Sequence, residues 1–356
     1  MAGIQRANSR EQGNAELAAA WCNRSRVFHR RGDFSGALAA CDIALTFDHE
    51  LAAAWINKAN ALLALRRFPE ARDASEHALR LDIRSANAWN NLSAALNGLR
   101  EHDEALAASE RALALAPAME STAAWTNRAV ALGGLARHAE AVEAFNRALT
   151  HDPGCDPALA GMATIIYRLK RYDDALGICE RSLVRNPDNL PMEIGRTLAL
   201  FGLRRYTEAL ESAERVVERD PGNIAGWANK SAVLLALRRF TDAIAAADHA
   251  LALESNVIAL NNKAAALKEL DRFDDATVCI EQALALAPDN PTVWDTKGEI
   301  CLVRHRYPEA LAAFERALAL DDTTLSTWQN KVLALRGCGR EPDALAAEAR
   351  MRELSE

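Results

Sequence analysis

The sequence predicts an all-α fold, a solenoid of stacked helix–turn–helix hairpins, and three in-phase features predict it. Taking Trp55 as an anchor, the matching positions are Trp21, Trp55, Trp89, Trp125, Leu159, Glu193, Trp227, Leu260, Trp294 and Trp328, spaced 34, 34, 36, 34, 34, 34, 33, 34 and 34 residues apart. Sixteen residues after each anchor stands an alanine, without exception: Ala37, Ala71, Ala105, Ala141, Ala175, Ala209, Ala243, Ala276, Ala310 and Ala344. Thirteen residues after the anchor a ring recurs, as Phe34, Phe68, Tyr172, Tyr206, Phe240, Phe273 and Tyr307, with His102, His138 and Glu341 in the remaining places. A period of this length marks a repeat array, in which a lone hairpin leaves its faces uncovered and needs neighbours of its own kind.

The unit from Ala52 to Ser85 explains why each copy is a hairpin. Trp55, Ala59 and Leu62 share one stripe of a first helix, and Ala71, Ser75 and Ala78 share one of a second. Between them, Arg66-Arg67 suit the carboxyl end of the first helix, Pro69 the first turn of the second, and Glu70 its amino end. Small Ala59 and Ala71 permit close approach, and Trp55 fills the space beside them. These residues, with Pro153 or Pro187 near the end of a unit, resemble the tetratricopeptide repeat family. That resemblance covers roughly residues 18 to 356 and implies a right-handed superhelix whose first helices line a concave surface. The pattern departs from the family's where Lys or Arg, as at Lys58 and Arg128, replaces a leucine three residues after the anchor.

In chain order, residues 1–13 are expected to be a disordered lead-in, with a single solenoid over 14–356. The first helix starts at Asn14 or Ala15, because Asn14 can cap it. The units are 18–51, 52–85, 86–121, 122–155, 156–189, 190–223, 224–256, 257–290, 291–324 and 325–356. Two extra residues in LAPAMESTAAW lengthen the turn before Trp125 and should alter the local pitch. Gly133-Gly134 weaken the first helix of the fourth unit. Glu348 and Arg352 give the last helix a polar face, so it reads as an end cap.

The candidate binding residues stand two places after the anchors: Asn23, Asn57, Asn91, Asn127, Asn229, Asn262 and Asn330. An amide carries a donor and an acceptor, so a column of them can pair with an extended peptide backbone whatever its side chains. This resembles the asparagine ladder of the repeat domain of O-linked N-acetylglucosamine transferases and of importin-type solenoids; the alternative is contact with neighbouring helices. Gly161 and Gly195 interrupt the column, and beside them Tyr167, Leu198 and Phe201 could hold an apolar anchor of a ligand or pack on adjacent helices. The lysines and arginines at Lys58, Arg128, Lys230, Lys263, Lys297 and Lys331 are expected to reach solvent or the acids Glu70, Glu140, Asp242, Asp275, Glu309 and Asp343, or to form cations on the groove wall. A clamp for a terminal carboxylate is disfavoured, because Cys22, Ile56, Asn90 and Thr126 stand where such a clamp needs lysine.

Composition narrows the classes. The net charge of −7 argues against a nucleic-acid backbone as the main partner. Seven cysteines without a CxxC pair fit reduced thiols in packing roles. No secretory h-region and no apolar run of membrane-spanning length are present, so a cytoplasmic location without membrane insertion is expected. No GxxxxGK[ST], GxGxxG, HExxH or GxSxG motif occurs, and the eight histidines lack ligand spacing, so neither catalysis, metal nor cofactor is expected. The reading is a non-catalytic scaffold, expected to be a monomer, that binds a peptide or helix of another protein in its groove. The alternative is a substrate-recognition or regulatory subunit of an enzyme on another chain.

Overall fold

Twenty α-helices make up the described residues of the computed structural model, which are 2–115 and 122–354, with side chains described from residue 12 onward. By its internal contacts the chain divides into two units, Met1–Arg185 and Asn186–Glu356. The first unit holds α1 (Ala2–Arg30), α2 (Phe34–Phe47), α3 (Ala52–Ala64), α4 (Phe68–Leu81), α5 (Ala86–Leu99), α6 (His102–Leu115), α7 (Thr122–Gly134), α8 (His138–His151), α9 (Asp156–Arg168) and α10 (Tyr172–Arg185). The second holds α11 (Leu190–Gly202), α12 (Tyr206–Arg219), α13 (Ile224–Ala236), α14 (Phe240–Leu253), α15 (Val257–Glu269), α16 (Phe273–Leu286), α17 (Pro291–Val303), α18 (Tyr307–Leu320), α19 (Leu325–Gly337) and α20 (Glu341–Glu353). Each unit is therefore five antiparallel hairpins.

Over residues 1–13, expected as a lead-in, the described backbone is helical from Ala2 as the amino-terminal part of α1. The lengthened turn before Trp125 lies largely outside the described residues.

Alanine sets the spacing. The ten alanines sixteen places after the anchors are at most 1% exposed, so the second helix of each hairpin meets the first with only a methyl group between backbones. Where the first helix carries serine in the facing position, its hydroxyl is satisfied across the contact: Ser93 Oγ donates to Ala105 O at 2.7 Å and Ser231 Oγ to Ala243 O at 2.9 Å. First helices of successive hairpins also touch one another, as α1, α3, α5, α7 and α9 do in turn and α11 to α19 do likewise. Among the described residues, second helices contact only the first helices before and after them. Within each unit the first helices thus form the inner, concave side.

The turn inside every hairpin has one geometry. Eleven residues after the anchor the backbone takes positive φ, at Gly32, Arg66, Arg100, Ala136, Lys170, Arg204, Arg238, Asp271, His305 and Gly339. In the second hairpin, Arg66 N donates to Leu63 O at 3.0 Å and Arg67 N to Leu62 O at 2.9 Å, the paired bonds of a Schellman stop. The same pair recurs from Gly32–Asp33 through Gly339–Arg340. Arg67 consequently does not sit on the end of the first helix, as the sequence suggests, but at the N-cap of the second. There its guanidinium grips Glu70 at 2.6 and 2.5 Å and holds that carboxyl below its usual range. Arg137 and Arg205 do the same to Glu140 and Glu208.

The loops between hairpins are latched by the tryptophans. Trp55 Nε1 donates to His49 O at 2.8 Å, six residues earlier, and Trp89, Trp227, Trp294 and Trp328 repeat the bond at 2.8 to 2.9 Å. The indoles are half-buried, and Lys58 Nζ lies 5.2 Å from the centre of the Trp55 ring. In the two hairpins where Leu159 and Glu193 replace Trp, an arginine late in the second helix takes over the loop carbonyl. Arg185 Nη1 donates to Pro153 O at 2.9 Å and Arg219 Nη1 to Pro187 O at 2.5 Å.

Candidate functional site: the first-helix face

The asparagines two places after the anchors brace one hairpin against the one before. Asn57 Nδ2 donates to Cys22 O at 3.2 Å and Ser25 Oγ at 3.1 Å, Asn91 to Ile56 O at 3.2 Å, and Asn262 to Ala228 O at 3.1 Å. Asn127 Nδ2 donates to both Asn90 O at 3.2 Å and Asn90 Oδ1 at 2.9 Å, and Asn330 Nδ2 to Glu299 Oε1 at 3.4 Å. Each backbone acceptor already belongs to a helix, and the amide uses its second lone pair. Asn91 and Asn262 are only 4% and 8% exposed, Asn57, Asn127, Asn229 and Asn330 are half-buried, and Asn23 is exposed. The donors expected to meet a peptide are thus engaged within the chain at five of the seven positions, which leaves the amide oxygens as the groups turned away from the preceding helix.

Gly161 breaks this column for a packing reason. A β-carbon there would sit 2.3 Å from Cζ of Phe145, a ring 1% exposed and locked in the core. The neighbouring rings also serve their own hairpins. Tyr167, in the first unit, is half-buried with its ring 5.3 Å from that of Tyr172, and burial raises its phenol above the usual range. Phe201, in the second unit, lies 5.5 Å from Tyr206 in the same manner. Each packs against the aromatic that opens its own second helix.

The cations three places after the anchors find partners, though not the expected ones. Lys58 pairs with Asp42 at 2.7 Å, Arg128 with Glu110 at 3.5 Å, Lys230 with Glu214 at 3.2 Å and Lys263 with Asp248 at 2.6 Å. Lys297 and Lys331 pair with Glu281 and Glu315. All six acids sit on the second helix of the preceding hairpin, since these positions turn toward that neighbour. The acids named from the sequence are occupied by the N-cap arginines, as Asp242 is by Arg239 at 2.7 Å and Glu309 by Arg306.

On the inner face of the first unit the described residues form at least two openings. One, of about 200 Å³, is lined by Ser25, Arg26, His29, Arg30, Asn57 and Asn60. The other, of about 460 Å³, runs across α3 to α9 and is lined by Arg66, Phe68, Asn97, Gly98, Arg100, His102, Val130, Gly133, Gly134, Phe145, Gly161, Thr164, Ile165 and Arg168. Asn97 Nδ2 donates to Asn127 O at 2.9 Å, while Asn97 Oδ1 and His102 Nδ1 are buried without a hydrogen-bond partner. Sequence reasoning did not find this groove. The glycines in its lining, Gly98, Gly134 and Gly161, lie directly under the rings of Phe68, His102 and Phe145, where a β-carbon would meet them at 2.3 to 2.4 Å.

The second unit carries charge in places the sequence left unread. Glu193, at an anchor position, is 4% exposed and accepts from Ser212 Oγ at 2.7 Å and Arg215 Nε at 2.9 Å, with Arg196 Nη1 at 3.4 Å. On α17, burial chiefly, and Glu299 next to it, push the Asp295 carboxyl up to about 6 against the opposing pull of Thr327 and Lys268. Asp295 Oδ1 is buried without a partner, and Lys268 Nζ pairs with Glu299 at 2.6 Å.

Among the described residues no group of His, Cys, Asp and Glu could hold a metal ion, and no helix is long and apolar enough to cross a membrane. Cys22, Cys41, Cys179, Cys279 and Cys301 are buried, and burial raises the Cys41 thiol to about 11, which suits packing rather than nucleophilic work.

The comparisons with known proteins agree with this geometry. Family models described as tetratricopeptide repeat match residues 56–120, 129–192, 196–258 and 261–323. None of the curated proteins matches the chain. Among solved structures, the Cut9–Hcn1 hetero-tetramer of the APC/C is similar with a TM-score of 0.57 at 15% identity, covering 93% of this chain and 79% of that one. A tetratricopeptide repeat protein from Parabacteroides merdae gives 0.55 at 17% identity, covering 71% and 99%. PilW, a widely conserved type IV pilus biogenesis factor, gives 0.51 at 20% identity, covering 58% and 94%. At such identities the likeness is one of fold. With ten phased hairpins and family matches over most of its length, the chain belongs to the tetratricopeptide repeat family.

Proposed function

We propose that the protein is a non-catalytic interaction scaffold, a monomer inside the cell, that holds an extended segment of another protein along the first-helix face. The observation that carries this reading is the groove of about 460 Å³ on the inner side of the first unit, lined by residues of several successive hairpins. A volume in this range matches ordinary ligand sites. The ladder amides contribute differently from the expectation. Their donors fix the spacing of the first helices, and the oxygens of Asn57 and Asn127 offer acceptors along the track. Neutral hydrogen bonds of about 0.5–1.5 kcal/mol each, less the ordering of the peptide, give micromolar affinity unless side-chain contacts add to it.

The test is a selection of displayed random peptides against three forms of the protein. Val130 and Thr164 are exposed and line the groove, so Val130→Trp with Thr164→Trp fills it while leaving the core alone. Val184→Trp alters the second-helix side at a residue 83% exposed. Peptides selected by the wild type should be lost by the first variant and kept by the second. Retention by the filled groove would move binding elsewhere.

A further inference from the structure

The first unit holds a set of cations that its own acids leave alone. Throughout both units, the arginines at the second-helix N-caps and the lysines three places after the anchors are paired at short range, as Arg67–Glu70 and Lys58–Asp42 are. Arg66, Arg100 and Arg168 are exposed, and none makes an ion pair with a described residue. Arg66 lies over a ring, its guanidinium 5.8 Å from the centre of Phe68. All three arginines line the same groove, and its lining contains no carboxylate. The neighbouring opening, with Arg26 and Arg30, contains none either.

In the second unit Arg238, at the turn position matching Arg66, lies 3.8 Å from Glu269 and Lys268 is bound by Glu299, while Arg204 at the same turn position makes no ion pair with a described residue. Acidic and basic residues balance over 1–185, so the chain's net charge of −7 falls entirely in 186–356. An excess of acid in one unit and an unpaired cationic groove in the other separates two surfaces of opposite character along one chain.

We infer that the groove of the first unit takes an acidic segment of a partner protein, its Asp and Glu side chains seated by Arg66, Arg100 and Arg168. This rests on the peptide-groove reading above and adds the chemistry of the ligand. Arg66 and Arg100 occupy the same place on adjacent hairpins, on the order of 10 Å apart at ordinary helix packing distances, which a chain in the polyproline-II conformation, with three residues per turn and about 3.1 Å per residue, covers in about three residues on one face. A carboxylate at roughly every third position therefore meets them in register, and planar guanidinium groups suit carboxylates in bidentate contact. Phe68 and Val130 receive small apolar residues between the acids.

The experiment uses the full chain and a fluorescent twelve-residue peptide with Glu at every third position, acetylated and amidated so that no terminal carboxylate remains. The comparison probes are its Gln counterpart and a single-stranded DNA of equal charge. The acidic peptide should bind at least tenfold more tightly than the Gln peptide, and its affinity should fall as salt rises from about 0.05 to about 0.3 M. Arg66→Glu with Arg100→Glu and Arg168→Glu should abolish binding while circular dichroism and melting stay near wild type; if that variant unfolds, the Gln substitutions at the same sites should still weaken binding about tenfold. Failure of the acidic peptide to bind overturns the inference, as does DNA binding with equal strength. If both peptides bind equally and both are lost on filling the groove with Val130→Trp and Thr164→Trp, the peptide groove stands and the charge assignment falls.

Discussion

Removing one β-carbon from the turn of the fourth hairpin should make the protein more stable. Ala136 is exposed at φ 58°, in the left-handed region that L-residues avoid, and its side chain is only a methyl group. The conformation costs an L-residue about 1–2 kcal/mol, while glycine adds about 0.5–1 kcal/mol of backbone entropy to the unfolded chain. Ala136→Gly should therefore gain about 0.5–1 kcal/mol, or about 1–4 °C in melting temperature for a cooperative unit of this size. The mirror change is equally clean, because a β-carbon built on Gly32, at φ 77°, meets nothing within 4 Å. Gly32→Ala should lose what Ala136→Gly gains. Urea titrations followed by circular dichroism measure both. A loss of stability in Ala136→Gly together with a gain in Gly32→Ala would refute the assignment of strain to these turns.

Three further outcomes are expected. Gly161→Ala should destabilise by about 1–3 kcal/mol through overpacking against Phe145, and Phe145→Leu in the same chain should restore part of the loss, both read by denaturant midpoint. Asp295 titrates near 6 when folded against 3.8 as its ordinary value, so between these pH values the unfolded state ionises first and stability falls as pH rises, by up to about 3 kcal/mol. Asp295→Asn should consequently raise the melting temperature at pH 7 and change it little at pH 4; equal effects at both would rule out the titration. Trp89→Phe keeps the ring but removes the bond to Ile83 O, and Arg185→Met removes the bond to Pro153 O; each should cost about 1 kcal/mol in thermal denaturation.

The sequence made the architecture readable because its strongest constraint is also its most repetitive one. Ala71 and its nine counterparts sit where two backbones meet, and nothing larger fits, so the period is written in residue identity. The Asn column was legible as a column, but its direction was not. A residue 200° around a helix from Trp55 can face either a ligand or the next hairpin, and only coordinates place Asn57 against Cys22 O. The lysine partners were misassigned for a similar reason. Glu70 lies nearer to Lys58 in the chain than Asp42 does, yet stacking brings the preceding hairpin's second helix alongside. The turns were hidden by composition: Gly32 and Gly339 announce left-handed backbone, whereas Arg66 and Lys170 in the same phase read as helix-end charges. The groove went unread because its lining residues, Phe68, Asn97, Val130 and Thr164 among them, come from separate hairpins far apart in the sequence.

Every amide brace and lysine pair described within a unit joins one hairpin to its immediate neighbour, and each indole or guanidinium latch closes the loop leading into its own hairpin. Tension applied along the array therefore meets a series of like clasps, with no long-range tie among the described residues to share the load. Such a chain should give way step by step under mechanical pulling, releasing on the order of 120 Å of contour per hairpin, since 34 residues extend by about 3.6 Å each. A partner lying across several hairpins would then act as a strap, and its presence would appear as several of those steps merging into one.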